Sequence, residues 1–580
     1  MPGLLHRLRD SLEETHSTAF ELRRHFFLRF FDSDFVSEAG QWRVLAIGVF
    51  AILASLSLLF VPAYYGKYMM LNALPTPDLY RLAALADVLF LITLAMFISG
   101  LVTTFLWPSL FPNFQDYLAL ASLPIRMRDV FVAKFTGLIA FALSFIIATI
   151  LLPSAFLPAV AAGKYSLEFG VRPTALFVSS SLAALFVFLL LVAVQGVLLN
   201  VLPARQFERV SLTVQGALLT VFLCGLPVVL SIPDLHESLD QWPHWAMWAP
   251  PAWFLGLHEV LSGRPDRLAI RLAWLSLAGV IGAGSAATAT YLWSYRRHRV
   301  RLLESAGKLK RIADHGWIGA IAEMFIPDPR ELAVFAFSAK TLPRTRQHRL
   351  ILITFAALAV AVIFESFFNL SLSRGLRGVS FQVDALRKAA ISAPLTLSLF
   401  LLAGLRYVFR LPVDLGANWA FRINELGNCA IFLGAVQRFL VCCAVLPVVL
   451  LTLPMEVHFF GLSTGMIAAA LCLLPSLALM GLFLIQVEAI PFTSCYLPGR
   501  RPVIETLVIY LIAVSVYVSV LSRVIIRCLE RVGSELALFG ILLTAWLVLR
   551  MAQLDHWGVG KLEFEELPEP VVMAMNLDRD

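Results

Sequence analysis

The sequence has little charge, few cysteines and no low-complexity segment. Charged residues make up 15% of the 580 positions, whereas soluble globular chains carry about 25%. The seven cysteines include no C-x-x-C pair, which excludes a disulfide-rich secreted scaffold. In contrast, 59% of the residues are hydrophobic and the mean hydropathy is +0.81. This balance excludes a soluble enzyme and a disordered chain, and it indicates a polytopic membrane protein.

Two motifs are also missing. Residues 1–43 contain no short apolar core with a small-residue cleavage site, so we expect the first span to act as its own insertion signal. No G-x-x-x-x-G-K-[ST] phosphate loop occurs; Gly66-Lys67 and Gly307-Lys308, for instance, lack the upstream glycine and the following Ser or Thr. If ATP drives this protein, a separate chain must bind it.

Apolar runs of the length that crosses a bilayer predict twelve spans. They lie at residues 44–64, 85–107, 135–157, 174–202, 210–232, 268–293, 350–370, 389–405, 439–454, 461–485, 506–522 and 536–549. The ninth and the twelfth are short, so ten or eleven spans are the alternative. The predicted fold is all-α, with about twelve transmembrane helices in two pseudo-repeated six-helix bundles.

The distribution of Lys and Arg predicts which parts face the cytoplasm. With the N-terminus inside, the inner segments carry 32 of these residues and the outer loops 13, as the positive-inside rule requires. The predicted regions are a cytoplasmic N-terminal segment with an interfacial helix (1–43), a first bundle (44–293), a basic cytoplasmic linker with a second interfacial helix (294–349), a second bundle (350–549) and an acidic cytoplasmic tail (550–580).

Each half repeats one order of parts. A basic, aromatic segment precedes its first span, at residues 20–31 and 331–341. Neither is cleanly amphipathic, yet a helix lying in the membrane interface is the natural interpretation. A cytoplasmic loop then follows the second span, at residues 108–135 and 406–438, and both exceed the length needed between antiparallel helices. The first loop can form a short helix, through which a partner protein would transmit movement to the two spans that it joins.

The second loop is expected to expose Trp419 and Phe421 beside Arg422. Aromatic residues and arginine are enriched at interface hot spots. The alternative is a solvated loop whose aromatic side chains rest on lipid headgroups. Lys134 and Arg438, near the inner ends of the third and ninth spans, are expected to anchor those helices in the interface, with simple snorkelling to the headgroups as the alternative.

This organisation resembles the permease subunits of type-2 ATP-binding-cassette (ABC) exporters, whose halves have an interfacial connecting helix, six spans and a coupling helix between the second and third spans. The likeness in the first loop lies in Asp116-Tyr117, Leu120, Leu123-Pro124, Arg126, Arg128 and Ala133-Lys134. The contact residues for ATPase subunits that the resemblance implies are Asp116, Tyr117, Leu123, Pro124, Arg126, Arg128, Lys134, Asp414, Asn418, Trp419, Phe421 and Arg422. The second half has Leu411-Pro412 earlier than the matching place, so the halves would engage their partners unequally.

The loop after the fifth span carries a further likeness. Its aromatic and proline residues are Trp242, Trp245, Trp248, Pro250, Trp253 and Phe254. The family places short, partly re-entrant helices here, on the outer side. The second half lacks such a loop.

The resemblance implies a permease that moves an unidentified substrate by alternating access, in a bacterial inner membrane with both termini cytoplasmic. Two cytoplasmic ATPase subunits would bind ATP and Mg, and this chain would hold no catalytic residue, cofactor, metal or nucleic acid. Membrane lipid is a partner, and accessory membrane subunits are compatible with this plan. The apolar pathway favours lipids, lipid-linked molecules or hydrophobic compounds as substrates.

An ion-coupled secondary transporter with 6+6 spans is the alternative. Such carriers usually need ionisable groups within the membrane, whereas Asp87, Arg271 and Glu365 fall towards the outer ends of their spans. Gln195 and Gln215 are deeper, and we expect them to join helices.

A membrane enzyme is a further alternative. The titratable residues of the outer loop are His236, Glu237, Asp240, His244, His258 and Glu259. They form no known catalytic motif, so an aromatic belt is the preferred interpretation.

Overall fold

The computed structural model describes residues 20–27, 61–111, 127–162, 171–233, 246–305, 326–372, 379–411, 413, 418–423, 429–485, 490–493, 503–531 and 533–559. These ranges are almost wholly helical and contain no β-strand. The chain divides into two compact units, Met1–Lys310 (unit 1) and Arg311–Asp580 (unit 2). The boundary falls within the predicted linker, although the helix Arg267–Ser305 continues into its first part.

Unit 1 contains eight described helices. They are α1 (residues 20–27), α2 (Val61–Ala73), α3 (Pro77–Phe105), α4 (Met127–Val160), α5 (Val171–Val201), α6 (Ala204–Ser231), α7 (Pro250–Leu261) and α8 (Arg267–Ser305). The fourth predicted span, α5, lies at the centre and packs against α3, α4, α7 and α8, while α3 also packs against α6. Small residues allow these close approaches. A Cβ added to Gly196 of α5, for example, would lie 2.4 Å from the Thr290 hydroxyl of α8.

Unit 2 contains nine described helices. They are α9 (Pro329–Arg344), α10 (Arg346–Leu372), α11 (Val379–Phe409), α12 (Asn418–Ile423), α13 (Cys429–Leu440), α14 (Leu446–Phe460), α15 (Leu462–Leu484), α16 (Val503–Leu529) and α17 (Ser534–Val559). The central helix is α11, which packs against α10, α14, α15 and α16, while α15 also packs against α14 and α17. Gly461, with φ of 84°, makes the sharp turn between α14 and α15.

Ten helices of the described ranges are long and apolar enough to cross a membrane, which makes this a multi-pass integral membrane protein. The eleventh predicted span coincides with α16, which is not among the ten, and most of the first lies in residues 28–60, outside the described ranges. A count of twelve therefore stays a prediction.

Two predicted spans were placed too short. The ninth is helical from Cys429 to Phe460, through α13, one π-helical turn and α14, and the twelfth reaches Val559 as α17. The prediction ended each span where polar residues begin. In the structure one polar residue of each extension is buried: Glu456 is 0% exposed and Gln553 is 1% exposed. The Gln553 amide donates a 2.5 Å hydrogen bond to the Gly481 carbonyl of α15.

Candidate functional site

The helix α1, which the sequence predicts to lie in the membrane interface, rests on the start of α4. Leu22 and Phe26, one turn apart, are its buried side chains and pack with residues of α4. The helices approach closely because Gly137 has no side chain: a Cβ there would lie 3.3 Å from a backbone nitrogen of α1. Lys134 is only 3% exposed, and its Nζ lies 5.3 Å from the centre of the Phe26 ring. Lys134 therefore contacts the interfacial helix through a cation–π interaction.

The helix α9, the predicted interfacial helix of unit 2, has a capped start and one buried face. The Asp328 side chain accepts a 2.8 Å hydrogen bond from the Arg330 backbone N–H, and this bond holds the pKa of the Asp328 carboxyl below its usual range. The residues of the buried face are Val334, Phe335, Ser338 and Thr341. Val334 and Phe335 supply the apolar part of this face, and the polar residues Ser338 and Thr341 are buried beside them.

The buried face of α9 docks on α13, at the start of the ninth predicted span. The Glu331 carboxylate lies 2.6 Å from the Arg438 guanidinium, and the rings of Phe335 and Phe439 meet edge-to-face with centres 5.8 Å apart. Arg438 thus contacts α9, as Lys134 contacts α1 in unit 1. In each unit, a basic residue at the start of the third predicted span of that half contacts the predicted interfacial helix.

The loop that the sequence predicts to be the second long cytoplasmic loop contains the short helix α12, which Phe421 and Asn418 attach to the rest of unit 2. The Asn418 amide donates to the Thr493 carbonyl at 3.1 Å, and the Phe421 ring packs edge-on against Phe337 of α9, 5.4 Å away. Trp419 is 67% exposed. The expectation that Phe421 is exposed is therefore wrong, because its ring packs against α9. Trp419 remains available for contact.

The remaining predicted contact residues are either exposed or outside the described ranges. Arg128 is exposed in the first turn of α4, and Arg422 is exposed on α12. The predicted residues Asp116, Tyr117, Leu123, Pro124, Arg126, Asp414, Trp242 and Trp245 lie outside the described ranges.

A short helix, α7, occupies the place after the fifth predicted span of unit 1. Its 12 residues extend about 18 Å, too little to cross a hydrocarbon core of about 30 Å. It starts with Pro250 in the first turn, and Phe254 is fully buried. Gly256 lets α7 lie directly on α8, since a Cβ there would come within 2.4 Å of the Leu272 Cβ.

The aromatic residues of this segment play different parts. The Trp253 indole N–H donates to the Met247 carbonyl at 3.0 Å and its ring lies 6.1 Å from Phe186 of α5. Trp248, by contrast, is 88% exposed. Trp253 therefore ties the segment to the bundle, and Trp248 projects outward as a residue of an aromatic belt does.

A cavity of about 570 Å³ lies within unit 1, between the starts of α3 and α5, the end of α4 and the helix α7. The positive-inside rule predicts this end of the unit to face outward. Its charged lining residues are Asp78, Arg81, Arg172, Glu259 and Arg264. Burial lowers the pKa of the lining residue His258 to about 4, so its imidazole is neutral near pH 7. Burial also raises the pKa of Glu259, against the pull of the three arginines.

A buried ion pair lies beside this cavity. Asp87 is 0% exposed, and its two carboxylate oxygens accept hydrogen bonds from the Lys67 ammonium and the Tyr68 hydroxyl, each at 2.7 Å. The sequence placed Asp87 near a span end and did not identify its partners. Lys67 and Tyr68 are 19 to 20 residues away, and no periodicity connects them.

The prediction that Gln195 and Gln215 join helices is confirmed. The Gln195 amide of α5 donates to the Trp107 carbonyl at 2.7 Å, and the Gln215 amide of α6 donates to the Thr104 carbonyl of α3 at 2.9 Å. Both glutamines are buried. They cross-link the end of unit 1 opposite the cavity.

The sequence reasoning missed one buried acid. Glu456 of α14 is 0% exposed, and its Oε1 lies 3.4 Å from the Thr452 hydroxyl. Its other carboxylate oxygen has no hydrogen-bond partner. Because Glu456 lies two residues beyond the predicted end of the ninth span, it was counted as a loop residue.

Among the described residues, no group of three or more His, Cys, Asp or Glu side chains is arranged to hold a metal ion. Comparison of the chain with protein-family models, with curated proteins and with solved structures finds no match in any of the three.

Proposed function

We propose that this protein is the membrane-spanning permease of an ABC exporter, with both halves in one chain. The observation that carries the proposal is the docking of an interfacial helix on the third predicted span of each half. In unit 1 the contact joins Phe26 to Lys134, and in unit 2 it joins Glu331 to Arg438. An interfacial helix fixed to a long span transmits movement at the membrane surface to the bundle.

Helix packing supports a repeated plan. When the helices of each half are numbered by predicted span, seven pairs pack in both units: second with third, second with fourth, second with fifth, third with fourth, third with sixth, fourth with fifth, and fourth with sixth. This shared set is expected of two related six-helix bundles.

The helix α12 has the features that a coupling element needs. Phe421 joins it to α9 and the Asn418 amide joins it to the Thr493 carbonyl, while Trp419 is exposed for a partner. A large aromatic side chain on an anchored support is typical of an interface hot spot. A push on α12 would pass through the Phe421–Phe337 contact to α9 and on to α13.

The mechanism proposed is alternating access. Two separate ATPase subunits, which hold ATP and Mg, close on ATP and draw the cytoplasmic loops together, and the bundles then open outward. The chain resides in a bacterial inner membrane with both termini cytoplasmic and catalyses no reaction itself. The substrate is a lipid, a lipid-linked molecule or a hydrophobic compound.

Site-specific photocrosslinking tests the coupling assignment. A benzoylphenylalanine at Trp419 is expected to crosslink in intact membranes to a protein with a phosphate-loop motif. The same residue at Trp248, which is at least as exposed, is the matched control and is expected to yield no such product. Equal crosslinking from both positions, or none from Trp419, would contradict the assignment.

Glu456 favours a second candidate, an ion-coupled carrier. A fully buried carboxylate within a candidate span is the type of residue that proton-coupled transporters use. Vesicles that hold the purified chain distinguish the two. A carrier would acidify or alkalinise the vesicle interior when substrate is added without ATP, and E456Q would abolish this change. A permease would cause no such pH change, either as the unaltered chain or as E456Q.

A further inference from the structure

The cavity of unit 1 combines unpaired positive charge with an apolar interior. Its arginines come from three separate segments: Arg81 from α3, Arg172 from the start of α5, and Arg264 from the turn after α7. Among the described residues, no ion pair within 4 Å joins any of the three to Asp78 or Glu259. The three guanidinium groups therefore keep their donors available to a ligand.

The two carboxyl groups offset this charge only in part. Three arginines face two acids, and Glu259 is the more buried acid of the pair. Burial raises the pKa of Glu259, because a buried site disfavours the charged form of its carboxyl group. The field at the cavity favours an anion, and guanidinium groups bind phosphate and carboxylate with paired hydrogen bonds.

A neutral polar group also faces the cavity. His258 is 6% exposed, its imidazole interacts with the Ala175 backbone, and its Nε2 lies 3.4 Å from the Ser262 hydroxyl. Because its imidazole is neutral, His258 adds a polar group to the cavity wall without adding charge. The arginines therefore carry the attraction for an anion.

The charged and apolar linings occupy different depths. On α3, Arg81 lies near the helix start, and Leu85 and Val88 follow one and two turns further in. On α5, Leu176 lies one turn beyond Arg172. From Arg81 to Val88 the helix advances about 10 Å. The mouth is therefore charged and the interior apolar, and the volume of about 570 Å³ falls within the usual size of ligand pockets.

We propose that this cavity binds the anionic head of an amphiphile, with a phosphate or carboxylate on Arg81, Arg172 and Arg264 and an alkyl chain along Leu85, Val88 and Leu176. The inference does not depend on the energy source of transport, so it stands or falls separately from the ABC permease assignment. The same chemistry is offered by a membrane lipid and by a free anion, and the chain-length requirement separates the two sources.

Titration of the full chain in phosphatidylcholine nanodiscs tests the proposal, with empty nanodiscs as the blank. The probes are octyl phosphate, inorganic phosphate and octyl glucoside, which has the same chain without charge. We expect octyl phosphate to bind about tenfold or more tightly than either of the others. Equal affinity for inorganic phosphate would overturn the role of the apolar interior, and equal affinity for octyl glucoside would overturn the role of the arginines.

Variants assign the binding to the cavity. R172Q and R264Q are each expected to weaken octyl phosphate binding about fivefold or more, whereas R271Q, an exposed arginine of α8 outside the cavity, leaves it unchanged. A84F, which fills the interior from α3, is expected to weaken octyl phosphate and to spare inorganic phosphate. Unchanged affinity in R172Q and R264Q would refute the proposal.

Discussion

Replacement of Asp87 by Asn is expected to destabilise unit 1, because it leaves the Lys67 ammonium without its charged partner. Removal of one member of a fully buried pair costs about 3–5 kcal/mol. The Lys67 side chain keeps 29% exposure, so water re-solvates it in part and we expect about 2–3 kcal/mol for D87N. The converse variant K67M leaves the Asp87 carboxylate, which is 0% exposed, without the Lys67 ammonium. It is therefore expected to destabilise unit 1 by more than D87N does.

Thermal unfolding of the full chain in mild detergent, followed by tryptophan fluorescence at a fixed scan rate, measures these changes. For a unit of this size, about 2 °C accompanies each kcal/mol, so D87N is expected to lower the midpoint by about 4–6 °C. The double variant K67M/D87N should lower the unfolding midpoint by less than the sum of the decreases in the two single variants. K340M, at an exposed lysine of α9, is the matched control and should shift the midpoint by less than about 1 °C. A loss in D87N no larger than in K340M would refute the reasoning.

Three further predictions concern other contacts. G256A should destabilise unit 1 by about 1–3 kcal/mol, because its Cβ would lie 2.4 Å from a carbon of α8; G282A, in open space on α8, should instead stabilise by about 0.5–1 kcal/mol, and the same change in both would contradict the packing. A double-mutant cycle of E331Q and R438Q should give a coupling of about 0.5–1 kcal/mol, because the arginine is half-exposed; zero coupling would mean that the pair does not form. Because the pKa of His258 is lowered from 6.5 to about 4, the unfolded chain binds more protons between these values. Stability should therefore fall as the pH drops from 6.5 towards 4, and H258Q should make this fall in the unfolding midpoint shallower.

Features that depend on local pattern were predictable from the sequence. Long apolar runs located the described spans, although α3, α4 and α11 begin eight to ten residues before the predicted starts. A basic aromatic segment correctly indicated a helix at α1 and at α9. The deep glutamines were assigned to helix joining because a buried amide needs a partner. These inferences require only the neighbours that the chain itself places within a few turns.

Features that depend on tertiary contact were not predictable. The cavity is lined from five segments between Tyr68 and Arg264, and no spacing rule brings them together. Glu456 was assigned to a loop because only the packing of neighbouring helices shows that it is buried. Phe421 was expected to be exposed because its contact with Phe337 joins positions 84 residues apart. In each case the deciding contact is long-range.

The central claim is that a separate ATPase drives this chain, and co-purification after crosslinking in native membranes tests it most directly. The tagged full chain is expected to bring down an ABC ATPase at about two copies per chain, and W419A should lower the yield about tenfold or more, as for loss of an interface hot spot. W248A, at the exposed tryptophan beside α7, should leave the yield unchanged. A preparation that is active in transport yet contains no protein with a phosphate-loop motif would contradict the account.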